Sequence, residues 1–164
     1  IKELAPGVFL YKEYKKAEVL FIYVSFGSEV QTDNLIRDAL KDKKKIGVPV
    51  TDFKNKKMIC SEITDFEQEL EEKAFGILEP KDGFCREIEI HKIDLVIVPC
   101  VAFDKNCFRI GYGGGFYDRF LKMLKPKIPT ICLAYELQKI ERVPINKYDI
   151  GVGKVITEEN DYTR

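Results

Sequence analysis

The sequence lacks the residue patterns that mark several common classes of protein. It has one histidine, His91, and its five cysteines are scattered without a C-x-x-C pair, so the closely spaced ligands of a structural zinc site are absent. No apolar run approaches the roughly 18 residues of a membrane-spanning helix. Lysine plus arginine equal aspartate plus glutamate at 27 each, so the chain as a whole offers no basic field to nucleic acid or to an acidic membrane.

The composition that is present fits one globular domain. At 164 residues, 45% hydrophobic and 33% charged, the chain is long enough to bury a core, and we expect a single domain over residues 1–164. An odd, scattered set of cysteines favours reduced thiols, and no signal peptide opens the sequence, so we expect a cytoplasmic protein. We expect a monomer, with neither nucleic acid nor membrane among its partners.

Alternating strand and helix patterns predict a three-layer, Rossmann-like α/β domain with a largely parallel sheet flanked by helices. Three nearly continuous apolar runs predict buried strands: AEVLFIYVSF, IDLVIVP and IPTICLAY. TDNLIRDALKD and FYDRFLKML carry helical apolar stripes, and TDFEQELEEK is a candidate short helix capped by Thr64. Further short strands are predicted in KIGVPV, KKMICSEI and GVGKVIT.

Four of the eleven glycines lie within five positions of the stretch CFRIGYGGGFYDRFL: Gly111, Gly113, Gly114 and Gly115. A glycine-rich turn that enters a helix lets backbone N–H groups approach an anion, and the helix N-terminus adds about half a positive charge. Arg109 before the turn suits phosphate, whereas Asp118 after it would repel a polyphosphate unless a divalent cation lay between them. The stretch therefore predicts a magnesium–nucleotide site. The alternative is a tight bend, with Asp118 as a helix-start charge.

The common nucleotide-binding fingerprints do not fit this stretch. Phe116 and Tyr117 follow the last glycine, where a P-loop needs Lys and Ser or Thr. Phe116 also occupies the place of the third glycine in the pattern G-x-G-x-x-G. The phosphate loop predicted here is therefore of another kind.

The segment DLVIVPCVAFDKNCFRIGYGGGFYDRFL resembles the signature of the 5-formyltetrahydrofolate cyclo-ligase family, and its R-x-G-x-G-x-G-[FY]-Y-D core is the specific part. YVSFGSEVQTDNLIRDAL, GILEP and VPINKYDIGVGKVITE extend the resemblance over nearly the whole chain. It implies conversion of 5-formyltetrahydrofolate to 5,10-methenyltetrahydrofolate, with ATP hydrolysed to ADP and phosphate in the presence of Mg²⁺. In the family the formyl oxygen is phosphorylated, N10 attacks the activated carbon, and phosphate leaves as the ring closes. That chemistry needs positioning and charge neutralisation, which suits a sequence without a Ser/His/Asp or Cys/His set.

The resemblance also implies roles for individual residues. Arg109 is the candidate catalytic residue, and ATP would be bound by Arg109, Gly111, Tyr112, Gly113, Gly114, Gly115, Phe116 and Tyr117. The folate would be contacted by Val24, Glu29, Met58, Tyr112, Phe116 and Tyr117, with the Glu29 carboxylate on the pterin edge. Mg²⁺ would be bound by Asp118 and Asp149. From the residues alone, alternatives stay open: Glu29 as a helix cap, Met58 and Phe116 as core residues, and Asp149 as a turn residue.

The chain also departs from the family pattern. Family members open with a helix whose Lys and Arg reach the ATP phosphates; we expect the present chain to lack that helix through truncation. Gly114 occupies a loop position that is lysine in some members, and Cys100 stands where glycine is frequent after the strand-ending proline. The absence of the basic helix motivates an alternative function, a folate- or nucleotide-binding module that kept the fold without turnover.

Overall fold

A computed structural model describes residues 11–164 and contains a seven-stranded sheet. The strands along the chain are β1 (Val19–Ile22), β2 (Lys45–Asp52), β3 (Lys57–Ile63), β4 (Leu70–Glu72), β5 (Leu78–Pro80), β6 (Leu95–Val98), β7 (Ala102–Phe103), β8 (Arg109–Ile110), β9 (Thr130–Leu133), β10 (Lys154–Ile156) and β11 (Asp161–Thr163). The order across the large sheet is β11-β10-β9-β6-β1-β2-β3. The five inner strands are parallel, and β3 and β11 add antiparallel edges, so the predicted largely parallel sheet is confirmed.

The described residues form the helices α1 (Lys12–Lys16), α2 (Asp33–Lys41), α3 (Phe66–Glu69) and α4 (Phe116–Met123). Short 3-10 turns lie at Ala74–Gly76, Ile90–Lys92 and Glu136–Gln138. Within residues 11–164, no helix is long and apolar enough to cross a membrane. We expect the basic helix to be missing at the start of the chain. That part of the sequence lies outside the described residues.

The sheet separates two hydrophobic clusters, because alternate residues of each strand face opposite sides. Leu20 and Ile22 of β1 pack with Leu35 of α2 in one cluster, which also takes in buried residues of α1 and α3. Phe21, between them, packs in the other cluster on Phe120 of α4, with ring centroids 4.4 Å apart. Helices thus cover both faces of the sheet, as the predicted three-layer architecture requires.

The helix predicted in TDFEQELEEK is shorter than expected, and Thr64 does not cap it. The cap is Asp65, whose Oδ1 accepts hydrogen bonds from the backbone N–H groups of Glu67 and Gln68. The Thr64 hydroxyl instead donates to Oε1 of Glu69 at 2.6 Å. The helix ends there because the next residues extend as β4 and pair with β5 in a separate hairpin.

Candidate active site

Three loops that follow the carboxyl ends of β1, β6 and β9 meet at one edge of the sheet, where open α/β folds bind ligands. The loop after β1 reaches the glycine loop (residues 111–115) through the rings of Phe26 and Tyr112, whose centroids are 5.4 Å apart. Gln138, in the loop after β9, donates from Nε2 to the carbonyl of Cys100, in the loop after β6, at 2.8 Å. The fold therefore gathers the predicted site residues from distant parts of the sequence.

A hairpin of β7 and β8 leads from β6 to the glycine loop, and a buried aspartate organises it. Asp104 is 1% exposed, and its Oδ1 accepts from the backbone N–H groups of Asn106 and Phe108 at 2.9 and 3.2 Å. Its Oδ2 accepts from the N–H of Val143 at 2.9 Å. One carboxylate thus fixes the turn that precedes Arg109 and links it to the segment that leads to Asp149. Sequence reasoning did not single out Asp104, although an aspartate that starts a D-x-N turn is a recognisable turn signal.

The guanidinium of Arg109 is buried beside the glycine loop without hydrogen-bond partners for two of its nitrogens. Its side chain is 2% exposed, and Nε and Nη2 have no hydrogen-bond partner among the described residues. The nearest carboxylate oxygen is Oδ1 of Asp118, 3.7 Å from Nη2, and the Tyr117 ring centroid is 5.4 Å from Cζ. Burial of an incompletely paired cation is costly, so this arrangement suits an anionic ligand that accepts from the free nitrogens.

The backbone of the glycine loop is held in conformations that favour glycine. Gly113 has φ of 89° and Gly115 has φ of 64°, both in the left-handed region. Gly115 occupies the N-cap position of α4, so the loop ends where unpaired helix N–H groups begin. A Cβ built at Gly113 would meet no atom within 4 Å, which leaves this backbone open to close approach by a ligand.

The two aspartates predicted to bind magnesium lie on segments that contact each other. Oδ1 of Asp118 accepts from the backbone N–H of Ile150 at 3.0 Å, and Oδ2 of Asp149 accepts from Asn146 at 2.7 Å. The other oxygen of each carboxylate has no hydrogen bond within residues 11–164. The described part of the chain holds no group of three or more acidic, histidine or cysteine ligands. Two carboxylates nevertheless fit Mg²⁺, which commonly binds through one or two carboxylates together with substrate phosphates and water.

Glu29 is a buried carboxylate in the loop after β1. It is 6% exposed, and its Oε2 accepts from the backbone N–H of Phe26 at 3.0 Å. It does not cap α2, because Thr32 occupies that position. Burial raises the pKa of Glu29, although the Phe26 N–H and the Tyr112 hydroxyl oppose the shift. Burial and the Glu29 charge together raise the pKa of Tyr112 to about 12, so its hydroxyl stays protonated.

Tyr117 interacts electrostatically with both Glu29 and Arg109. Burial raises the pKa of its hydroxyl; the charge of Glu29 adds to that rise, and the charge of Arg109 opposes it. The three groups are thus electrostatic neighbours, with Tyr117 packed against both hydrophobic clusters. The structure brings together the predicted residues Glu29, Tyr112, Tyr117, Arg109 and Asp118.

Two other predicted folate residues are buried in hydrophobic surroundings. Val24 is 3% exposed, and Met58 on β3 is 8% exposed within the cluster that contains Phe21. Phe116 is partly buried against the same cluster and meets the ring of Phe53 edge-on at 5.6 Å. Met58 is therefore a core residue, and any part it takes in lining the site stays a prediction.

The comparison with known proteins identifies a family for this chain. The model of the 5-formyltetrahydrofolate cyclo-ligase family matches residues 2–158. The 5-formyltetrahydrofolate cyclo-ligase of Haemophilus influenzae is 33% identical over 146 residues, which cover 88% of this chain and 78% of that protein. The mouse 5-formyltetrahydrofolate cyclo-ligase is 28% identical over 165 residues, with 96% and 81% covered. The NMR structure of Aquifex aeolicus 5,10-methenyltetrahydrofolate synthetase has a TM-score of 0.81 at 30% identity, with 99% of this chain and 79% of that one covered.

These matches define an α/β enzyme of the ligase class. The chain belongs to the 5-formyltetrahydrofolate cyclo-ligase family. The predicted family, enzyme class and fold are confirmed, whereas the roles of single residues stay predictions.

Proposed function

We propose that this protein converts 5-formyltetrahydrofolate to 5,10-methenyltetrahydrofolate, with ATP as co-substrate, Mg²⁺ as cofactor, and ADP and phosphate as products. One observation carries the proposal: the buried Arg109 guanidinium has two nitrogens without hydrogen-bond partners beside an open glycine loop. A phosphate group placed there would accept from those nitrogens and offset the cost of burying the charge. We also propose that the protein is a cytoplasmic monomer. Gel filtration tests the monomeric state.

The glycine loop and α4 would bind the polyphosphate of ATP. Its open backbone at Gly113 allows close approach, and the N–H groups at the start of α4, where Gly115 provides no side-chain cap, would donate to an anion. The uncommitted oxygens of Asp118 and Asp149 would hold Mg²⁺, which when bound neutralises phosphate charge. Arg109 would then lie where charge develops on the transferred phosphoryl group.

The folate would lie on the side of Arg109 that Tyr117 and Glu29 occupy. The Glu29 carboxylate accepts hydrogen bonds only, so it suits the donor-rich edge of a pterin ring. Its cost of burial would fall when those donors bind. Tyr112, whose hydroxyl faces Glu29 from the glycine loop, would contact both substrates.

The reaction assigned to this arrangement needs orientation rather than a protein nucleophile. The formyl oxygen attacks the terminal phosphorus of ATP and ADP leaves; N10 of the folate then attacks the activated formyl carbon. N10 loses its proton, the carbon–oxygen bond breaks, and the oxygen departs with phosphate as the ring closes. Arg109 would hold the phosphoryl group through both stages, because it lies near both Asp118, proposed to bind Mg²⁺, and Tyr117, proposed to contact the folate.

The test is a turnover assay with the purified chain. Mixing it with 5-formyltetrahydrofolate and MgATP is expected to produce methenyltetrahydrofolate absorbance and equimolar ADP, and omission of ATP should abolish both. Folded protein that binds both substrates by calorimetry but forms no product would support the alternative, a binding module without turnover. Folded protein that binds neither substrate would overturn the proposal.

A further inference from the structure

Arg119, which the sequence reasoning did not single out, fastens the glycine loop to a distant turn. Its Nη2 donates to the carbonyl of Gly114 at 2.8 Å, and its Nε donates to the carbonyl of Lys56 at 2.6 Å. Lys56 lies in the turn between β2 and β3, 63 positions away in the sequence. One side chain therefore bridges two backbone segments that no regular hydrogen-bond ladder joins.

Aromatic contacts reinforce the same junction. The guanidinium of Arg119 lies 5.0 Å from the ring centroid of Phe116, and that ring meets Phe53 of the β2–β3 turn edge-on. The turn leads directly into β3, which carries Met58. Arg119 thus connects the backbone proposed to bind phosphate with the strand that carries a proposed folate residue.

An external restraint of this loop would favour ligand binding. Two of its three consecutive glycines, Gly113 and Gly115, have positive φ, and glycine loses more backbone entropy on ordering than any other residue. A ligand that ordered a loose loop would lose binding free energy to that entropy. A restraint already present in the free protein removes the loss. Only arginine has a rigid fork of donors that can reach two carbonyls at once; the single ammonium of lysine lacks that geometry.

We infer that Arg119 is a positioning residue, which holds the glycine loop in its binding conformation and couples it to the β2–β3 turn. The ATP and folate halves of this inference rest on the proposed function. Arg119 itself is exposed, so its contacts contribute little to global stability. Replacement of Arg119 is expected to make the glycine loop less ordered and to weaken ligand binding, with little change in the melting temperature.

The experiment compares Arg119→Lys with Arg37→Lys, a matched control. Arg37 also donates from Nε, in its case to the Glu67 carboxylate, and lies over a ring, that of Phe66, but on α2 away from the loop. First, ¹⁵N relaxation in the free protein reports order at residues 113–115 and 54–56. Arg119→Lys is expected to lower the order parameters of both segments from about 0.85 towards 0.6, whereas Arg37→Lys leaves them unchanged.

Second, steady-state kinetics separate positioning from a merely structural role. Arg119→Lys is expected to raise the KM for ATP roughly tenfold with a melting temperature near that of the parent chain, and to abolish any enhancement of folate affinity by an ATP analogue. Unchanged order parameters in both segments would overturn the inference, as would an ATP KM equal to that of the Arg37→Lys control. If the parent chain shows no turnover but Arg119→Lys still loosens both segments, the positioning role stands and the proposed function fails.

Discussion

Replacement of Arg109 by methionine should separate binding from stability more clearly than any other change in this protein. The side chain is 2% exposed, and its Nε and Nη2 lack hydrogen-bond partners in the described part of the chain. Methionine fills a similar volume without charge. If a phosphate group accepts from those nitrogens, each charge-assisted bond lost costs roughly 1.5–3 kcal/mol, or about 10- to 150-fold in Kd for ATP.

The same change should leave the fold intact. Burial of a poorly paired cation is a cost to the folded state, so its replacement by an apolar side chain of similar size should be neutral or stabilising; replacement of whole buried ion pairs in this way often stabilises by about 1–4 kcal/mol. The ion pair with Asp118 is long, at 3.7 Å, and Asp118 is 23% exposed, so the loss of that pair should cost no more than about 1 kcal/mol. The melting temperature of Arg109→Met is therefore expected to stay within a few degrees of the parent value or to rise, at about 2–4 °C per kcal/mol for a chain of this size.

Calorimetric titration with a non-hydrolysable ATP analogue and Mg²⁺, beside thermal unfolding, measures both effects in one sample. Arg37→Met serves as the control, because Arg37 is an arginine of a half-exposed ion pair outside the site. Unchanged affinity for the analogue in Arg109→Met would refute the phosphate contact. A loss of stability of several kcal/mol would refute the description of Arg109 as poorly paired, because it would mean that the guanidinium stabilises the empty fold.

Three further predictions follow from the neighbouring carboxylates. Asp118→Asn should weaken Mg²⁺ binding, so the turnover of this variant should recover partly as the Mg²⁺ concentration is raised. The turnover of Arg109→Met should not recover, and identical magnesium titrations of the two variants would contradict separate roles. Burial raises the pKa of Glu29 above 4.5, so its charge destabilises the fold as pH rises through the folded-state pKa. Glu29→Gln should therefore melt above the parent chain at neutral pH and equal to it in acid, while binding folate more weakly; a lower melting temperature at neutral pH would show a structural role. Asp104→Asn turns an amide donor towards a backbone N–H, so the free energy of unfolding measured in urea should fall by roughly 1–3 kcal/mol. An unchanged free energy of unfolding would show that the hydrogen bonds of Asp104 to the backbone are dispensable.

The sheet could be predicted from the sequence because its inner strands are buried on both faces. The runs around Phe21, Val96 and Ile131 are apolar at nearly every position, and that pattern is typical of parallel strands. The hairpins β4–β5 and β7–β8 have strands of two or three residues, too short for hydrophobic alternation to be recognisable. The edge strand β11, around Tyr162, is hard to predict for the same reason, because it is short and largely exposed.

The candidate site could be predicted only where chemistry lies in consecutive residues. Arg109, the glycines and Asp118 fall within ten positions, so their spacing indicated phosphate binding before any contact was known. Asp104 and Arg119 also bond to backbone groups 39 and 63 positions away, and no local pattern encodes those distant partners, although the D-x-N signal marks the local turn at Asp104. The burial of Glu29, which sets its pKa, likewise depends on how the loop after β1 packs.

The site carries two opposite charges that the protein itself leaves incompletely paired. Arg109 is buried with two donor nitrogens that lack hydrogen-bond partners, and Glu29 is buried with a raised pKa; the charges of both act on the Tyr117 hydroxyl. Each charge is a cost to the folded chain, and each would be offset by a different kind of ligand group: an anion at Arg109 and a donor edge at Glu29. Because an anion and a donor edge are different chemical groups, a single phosphate group would satisfy only Arg109. A site built this way favours simultaneous occupation by a phosphate compound and a donor-rich ring, as a two-substrate ligase requires.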